Sequence, residues 1–193
     1  MDETKFTPQH FIDDLKRVSY FNDNRVLIWY CNLYIEHFIN LLYRENKKNI
    51  EFEKCKECNK PLEPVFLTKV KELCTLDLID KYSTHDKLIE MVYRARNTVG
   101  HELDFNEIKI IENIIKATSQ VKKEDPLKLI DTLFKNITPW KNLEISSIAV
   151  VSRLYMNLEK IKGNQLTERL IFEINPECTV IMPKIINKDD PRF

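Results

Sequence analysis

Glycine is almost missing from this chain: only two, Gly100 and Gly163, occur in 193 residues. Turns, bulges and left-handed backbone positions draw on glycine, so so few of them argue against a β-rich fold. No run reaches the 18 or so apolar residues of a membrane span, and no membrane association is expected. Neither charge sign is in surplus, with 30 acidic and 30 basic side chains. That balance excludes the basic coat of a protein that covers long nucleic acids, but it leaves room for a local cleft that holds a few phosphates. A glycine-rich phosphate loop, a GxSxG elbow and an HExxH pair are all missing, which removes the usual nucleotide hydrolase, esterase and zinc protease routes. The first residues, MDETKFTPQH, carry no basic stretch followed by an apolar one. No secretion signal is therefore expected, and the five cysteines are expected to be reduced in a cytoplasmic protein.

Long stretches of Leu, Ile, Lys, Glu and Asn at helical period fill the remainder, and an all-α fold is expected. Thr7-Pro8 reads as a cap followed by proline at the first helical position, opening a helix to about Val18. Asn22 or Asn24 caps a long second helix to about Tyr43, apolar over much more than one stripe and hence central to a core or an interface. Its polar seam, Asn32, Glu36 and Asn40, recurs every four residues and lies on one face, which equally suits a solvent-facing stripe. Residues 45–63 interrupt the pattern as a charged loop containing Cys55 and Cys58.

A third helix is expected over about 65–80. Ser83 to Asp86 forms a capping box for a fourth, from about Thr84 to Val99, with Leu88, Val92, Ala95 and Val99 on one face. Asp104 and Glu107 box the start of a fifth, with Ile108, Ile111, Ile114 and Ile115 as its buried side. Asp125-Pro126 and Thr138-Pro139 open two more, near 127–137 and 140–161, the latter ending at Gly163. The run ISSIAVVS inside the last of these is β-branched and would also suit a strand. LIFEI at 170–174 and TVIMP at 179–183, separated by Asn175-Pro176, suit a small β-hairpin. The expected organisation is a helical bundle over 1–122 with a C-terminal extension over 123–193.

The constellation that carries chemistry is Arg96-Asn97-Thr98-Val99-Gly100-His101. In one continuous helix Arg96 and His101 would lie about 140° apart around the axis and could not converge on one substrate. A helix ending in a left-handed Gly100 would free His101 to swing back beside Arg96 or Asn97. Arginine offers a permanent forked charge to non-bridging phosphate oxygens, and histidine titrates near neutrality. Such a pair supports attack of an RNA 2′-hydroxyl on its own adjacent phosphate without a metal, because the nucleophile is already in the substrate.

In these residues the chain resembles the HEPN superfamily, all-α proteins many of which are ribonucleases, whose signature is Arg, four to six residues, then His, often with Asn after the Arg. The resemblance covers about 20–122 and includes the long second helix with Glu36. It implies a homodimer whose two motifs meet across a two-fold axis, with Arg96, His101, Asn97 and Glu36 as site residues. Asn97 would cap the helix or bond the substrate. The implied function is an endoribonuclease in a defence, stress or toxin-like setting, needing no cofactor for catalysis and open to a regulatory protein partner. Some family toxins carry a tyrosine two residues after the His; here that position is Leu103, which removes support for regulation by its modification. The alternative is a non-catalytic dimerisation or adaptor module that binds protein or RNA.

Cys55 and Cys58 form half of a structural zinc knuckle, which Cys74, His85, Cys178 or a second subunit would have to complete. An unmetallated surface turn is the simpler reading. Cys31 reads as core, and His10, His37 and His85 as ordinary residues.

Overall fold

A computed structural model describes residues 6–20, 23–48, 63–79, 85–101, 106–124, 138–164, 168–175, 180–187 and 189–192. Among them are six helices: α1 (Pro8–Ser19), α2 (Asn24–Asn46), α3 (Phe66–Thr75), α4 (His85–His101), α5 (Glu107–Glu124) and α6 (Pro139–Ile161). Two strands follow, β1 (Glu168–Asn175) and β2 (Val180–Asn187). They pair antiparallel with Ile171 opposite Lys184. Cys55, Cys58, Cys178, Ser83, Leu103, Asp104, Pro176, most of the loop over 45–63 and the helix expected near 127–137 lie outside the described residues.

The proline-led starts arise as the sequence requires. Thr7 accepts the His10 N–H ahead of Pro8, and Thr138 accepts the Lys141 N–H ahead of Pro139. In each, proline occupies a position whose N–H would have no partner in the helix. Elsewhere the caps shift by a residue or two. Asp23, rather than Asn22 or Asn24, caps α2 by accepting from Arg25 N at 2.8 Å. Asn106 caps α5, its Oδ1 accepting from Lys109 N at 3.1 Å, two residues later than a box on Asp104 would put it. Helix α3 stops at Thr75, short of residue 80, because Asp77 turns left-handed (φ 55°) and the Leu78 N–H returns to the Leu73 carbonyl at 3.0 Å. Gly163 (φ 74°) ends α6 in the same way, with Asn164 N–H bonded to Glu159 O at 2.9 Å.

Segment ISSIAVVS is helical. Ile145, Ser147, Ile148, Val150, Val151 and Leu154 are all buried there, and burial of one broad face outweighs the small helix penalty of β-branching. That face lies on α2, whose Ile28, Cys31, Ile35, Phe38, Ile39 and Leu42 are buried among α1, α3, α4 and α6. Residues of α6 join the same core cluster as those of α1 to α5, so no core boundary falls at residue 122 and α6 is not an appendage.

One apolar expectation and one polar one are corrected. On α5 the buried residues are Ile110, Ile114 and Ala117, whereas Ile108 and Ile115 are 72% and 48% exposed. With isoleucine at five of eight positions from 108 to 115, period alone could not fix the phase. The seam on α2 is no solvent stripe either: Asn32 is 2% exposed. Asn40 accepts from the buried Lys69 Nζ at 2.8 Å, and Lys69 also bonds Glu63, tying α3 to α2.

Helix α4 runs through Gly100 to His101, and Gly100 is not left-handed. A Cβ there would meet only Trp29 Cζ2 at 3.5 Å, ordinary contact distance. Gly100→Ala is accordingly expected to stabilise the fold by up to about 1 kcal/mol through helix propensity, read by urea denaturation. Destabilisation by a similar amount would restore a left-handed Gly100.

Candidate functional site

Because α4 is continuous, positions 96 and 101 remain about 140° apart on its surface. The turn that was to bring His101 back beside Arg96 is not formed at Gly100, and Asn97, four residues inside the helix end, does not cap it. The helix backbone therefore does not bring Arg96 and His101 to a common face.

Arg96 lies on the α2 side. Its guanidinium carbon stands 4.6 Å from the centre of the Trp29 ring, and Nη1 donates to Asn97 Oδ1 at 3.0 Å. Gly100, one turn further along α4, faces the same indole. Guanidinium on indole is a favourable arrangement, since the planar cation stacks on the electron-rich ring face. Among the described residues Arg96 makes no ion pair, and its Nε is buried without a hydrogen-bond partner. Half-buried positive charge thus stands beside α2 with an aromatic ring and one amide as its described partners.

Glu36 lies seven positions after Trp29, on the same stripe of α2 and about 10.5 Å along it. Its Oε2 accepts from Asn32 Nδ2 at 2.9 Å, so the described bond of Glu36 is to its own helix rather than to Arg96. Among the described residues Asn32 Oδ1 is a buried acceptor without a partner, while Arg96 Nε on the adjacent helix is a donor without one. A buried polar group without a partner is costly, and the two orphans mark the α2–α4 seam as a region held ready for polar contacts.

Within the largely apolar α2, Trp29 is 43% exposed, and Leu33, one turn on, is 49% exposed. Their common stripe with Glu36, at i, i+4 and i+7, was the signal that could have drawn them out of the apolar ring of α2.

On the other flank of α4, Lys87, Arg94 and Thr98 face Asn106, Lys109 and Lys116 of α5 across a groove of about 430 Å³. Position 101 follows Arg94 by seven residues and so falls on this flank. The seven-residue spacing of Lys87 with Arg94 and of Lys109 with Lys116 was present in the sequence and went unread.

Cysteine chemistry finds no foothold at the described thiols. Burial pushes the Cys31 thiol up to about 12, so it stays protonated and unreactive, and Cys74 belongs to the core. Among the described residues no three His, Cys, Asp or Glu side chains gather as a metal site, and no helix is long and apolar enough to cross a membrane.

Arg96→Met tests whether the guanidinium is a strut. Methionine keeps a stem against Trp29 and removes the orphaned Nε, forgoing about 0.5–1 kcal/mol of cation–π attraction. Folding stability in urea is expected to change by less than about 1 kcal/mol, whereas a loss beyond about 2 kcal/mol would make Arg96 a structural residue.

No protein-family model, curated protein or solved structure matches this chain.

Proposed function

We propose that the chain is a metal-independent endoribonuclease that works as a homodimer, with Arg96 of one copy set opposite His101 of the other. The observation that carries this reading is Arg96 itself. It is a half-buried cation, free of any carboxylate among the described residues and oriented by Trp29 and Asn97. A phosphodiester oxygen is the partner that such a forked donor lacks. The divergence of positions 96 and 101 on one continuous helix supports a site completed by a second copy, since a two-fold axis sets unlike positions of the two chains face to face. Trp29 and Leu33 give that copy an exposed apolar surface beside Arg96.

The reaction needs nothing beyond the RNA and these side chains. A neutral imidazole takes the proton of the 2′-hydroxyl, whose oxygen forms a bond to phosphorus. The bond from phosphorus to the 5′-oxygen breaks, and that oxygen receives the proton from the imidazolium so formed. Arg96 stabilises the charge on the non-bridging oxygens, while Asn97 is a positioning residue that holds Nη1. Glu36 is assigned a supporting role along the α2 stripe. The products are a 2′,3′-cyclic phosphate and a 5′-hydroxyl. The setting proposed from the resemblance to HEPN proteins is defence or stress.

The exposed Trp29–Leu33 pair also favours a second reading, a dimerisation or adaptor module without catalysis. End-labelled RNA incubated in excess EDTA separates the two. Cleavage to cyclic-phosphate ends, reduced at least about 100-fold by Arg96→Ala and by His101→Ala, is the expected result. Intact RNA in the presence of folded, dimeric wild type would leave the adaptor reading.

A further inference from the structure

Among the described residues of this electrically neutral chain, the groove between α4 and α5 gathers cations on both sides of a concave surface. Lys87 and Arg94 stand two turns apart on one wall, and Lys109 and Lys116 two turns apart on the other. One carboxylate, Glu90, lies in the lining, and it is paired with Arg94 at 2.5 Å. Lys87, Lys109 and Lys116 line the groove and make no ion pair among the described residues. The volume, about 430 Å³, falls within the range of pockets that enclose small ligands or a short stretch of chain. Met91, Ala95, Ile110 and Ala117 supply the apolar part of the lining.

We propose that this groove binds the phosphate backbone of single-stranded RNA and leads it toward the end of α4 that carries position 101. The proposal rests on the ribonuclease reading for its choice of polyanion. Facing rows of lysine along a trough suit a chain that carries charge at regular intervals, with sugars and bases passing over the apolar part of the lining. An acidic amphipathic helix would set its carboxylates along one face, whereas the cations here stand on both walls. The groove lies on the opposite flank of α4 from Arg96, and position 101 shares its flank. RNA lying in it therefore approaches the motif from the histidine side.

The test is equilibrium binding of a fluorescein-labelled uridine dodecamer, 2′-O-methylated so that it cannot be cleaved, to the intact chain. The expected result is at least tenfold weaker binding by the Lys87→Ala/Lys116→Ala variant. Its log–log salt dependence should fall by about 1.4, the value for two lost phosphate contacts on a single strand. Lys71→Ala/Lys160→Ala removes the same charge from exposed sites on α3 and α6 and should leave both quantities near wild type. Equal losses in the two variants, or no binding by wild type, would overturn the proposal. So would an oligoglutamate of matching charge that binds as tightly and depends as strongly on Lys87 and Lys116. The two readings separate cleanly. Groove-dependent binding by a wild type that never cleaves RNA keeps the groove and removes the nuclease. Undiminished cleavage by the Lys87→Ala/Lys116→Ala variant keeps the nuclease and removes the groove.

Discussion

A 23-residue helix that is apolar on most of its circumference can persist in water only if other elements cover it, and α2 imposes that demand on the whole molecule. Helices α6, α4, α1 and α3 all pack against it, and Lys69 of α3 bonds Asn40 of its polar seam. Each covering helix contributes its own stripe, such as Leu88, Val92 and Ala95 from α4, so that one core runs through all six. The position of Arg96 follows from this arrangement. It is next to Ala95, the last buried residue of that stripe, where the edge of the core meets Trp29.

Helix α4 then acts as a wall with two unlike sides. Toward α2 it presents an arginine on an indole and, one turn on, a glycine facing the same indole. Toward α5 it presents lysine, arginine and threonine beside the apolar part of the groove lining. Both sides are positive, yet the protein as a whole is neutral, because its acidic side chains are spent elsewhere. Glu63 and Glu72 serve the α2–α3 contacts, and Asp13 and Asp14 pair along α1. The Arg44 and Lys69 partners of Glu63 hold its carboxyl below the usual range although burial pushes the other way. Charge that is committed to such pairs is not shared with the lysines of the groove, whose one lining carboxylate, Glu90, is itself paired with Arg94.

Much of this fold was legible in the sequence, wherever covalent geometry or capping chemistry dictates the answer. Thr7-Pro8 and Thr138-Pro139 open helices because proline fits only the first turn, and Gly163 closes one because it alone adopts φ 74° without cost. Legibility failed where several residues were chemically equivalent. Five isoleucines in α5 offered more than one phase, and only packing against α4 and α6 selected Ile110 and Ile114. It failed again at Gly100, where a glycine near the end of a periodic stretch looks like a terminator but lies inside the helix, against Trp29. That misreading matters for the site, because the same turn was to have united Arg96 with His101. Trp29 was hidden for a related reason: in a helix apolar nearly all round, sequence does not say which aromatic residue remains outside.

The central claim is that Arg96 and His101 act together across two chains, and mixing two inactive chains tests it most directly. Arg96→Ala and His101→Ala proteins, each inactive alone, are unfolded together, refolded and assayed on RNA in EDTA. With random pairing half the dimers are mixed, and each mixed dimer keeps one intact site of two, so the account predicts about a quarter of wild-type activity. No recovery, despite mixed dimers demonstrated by differential tagging, would contradict it and place both residues in one chain's site or neither in any.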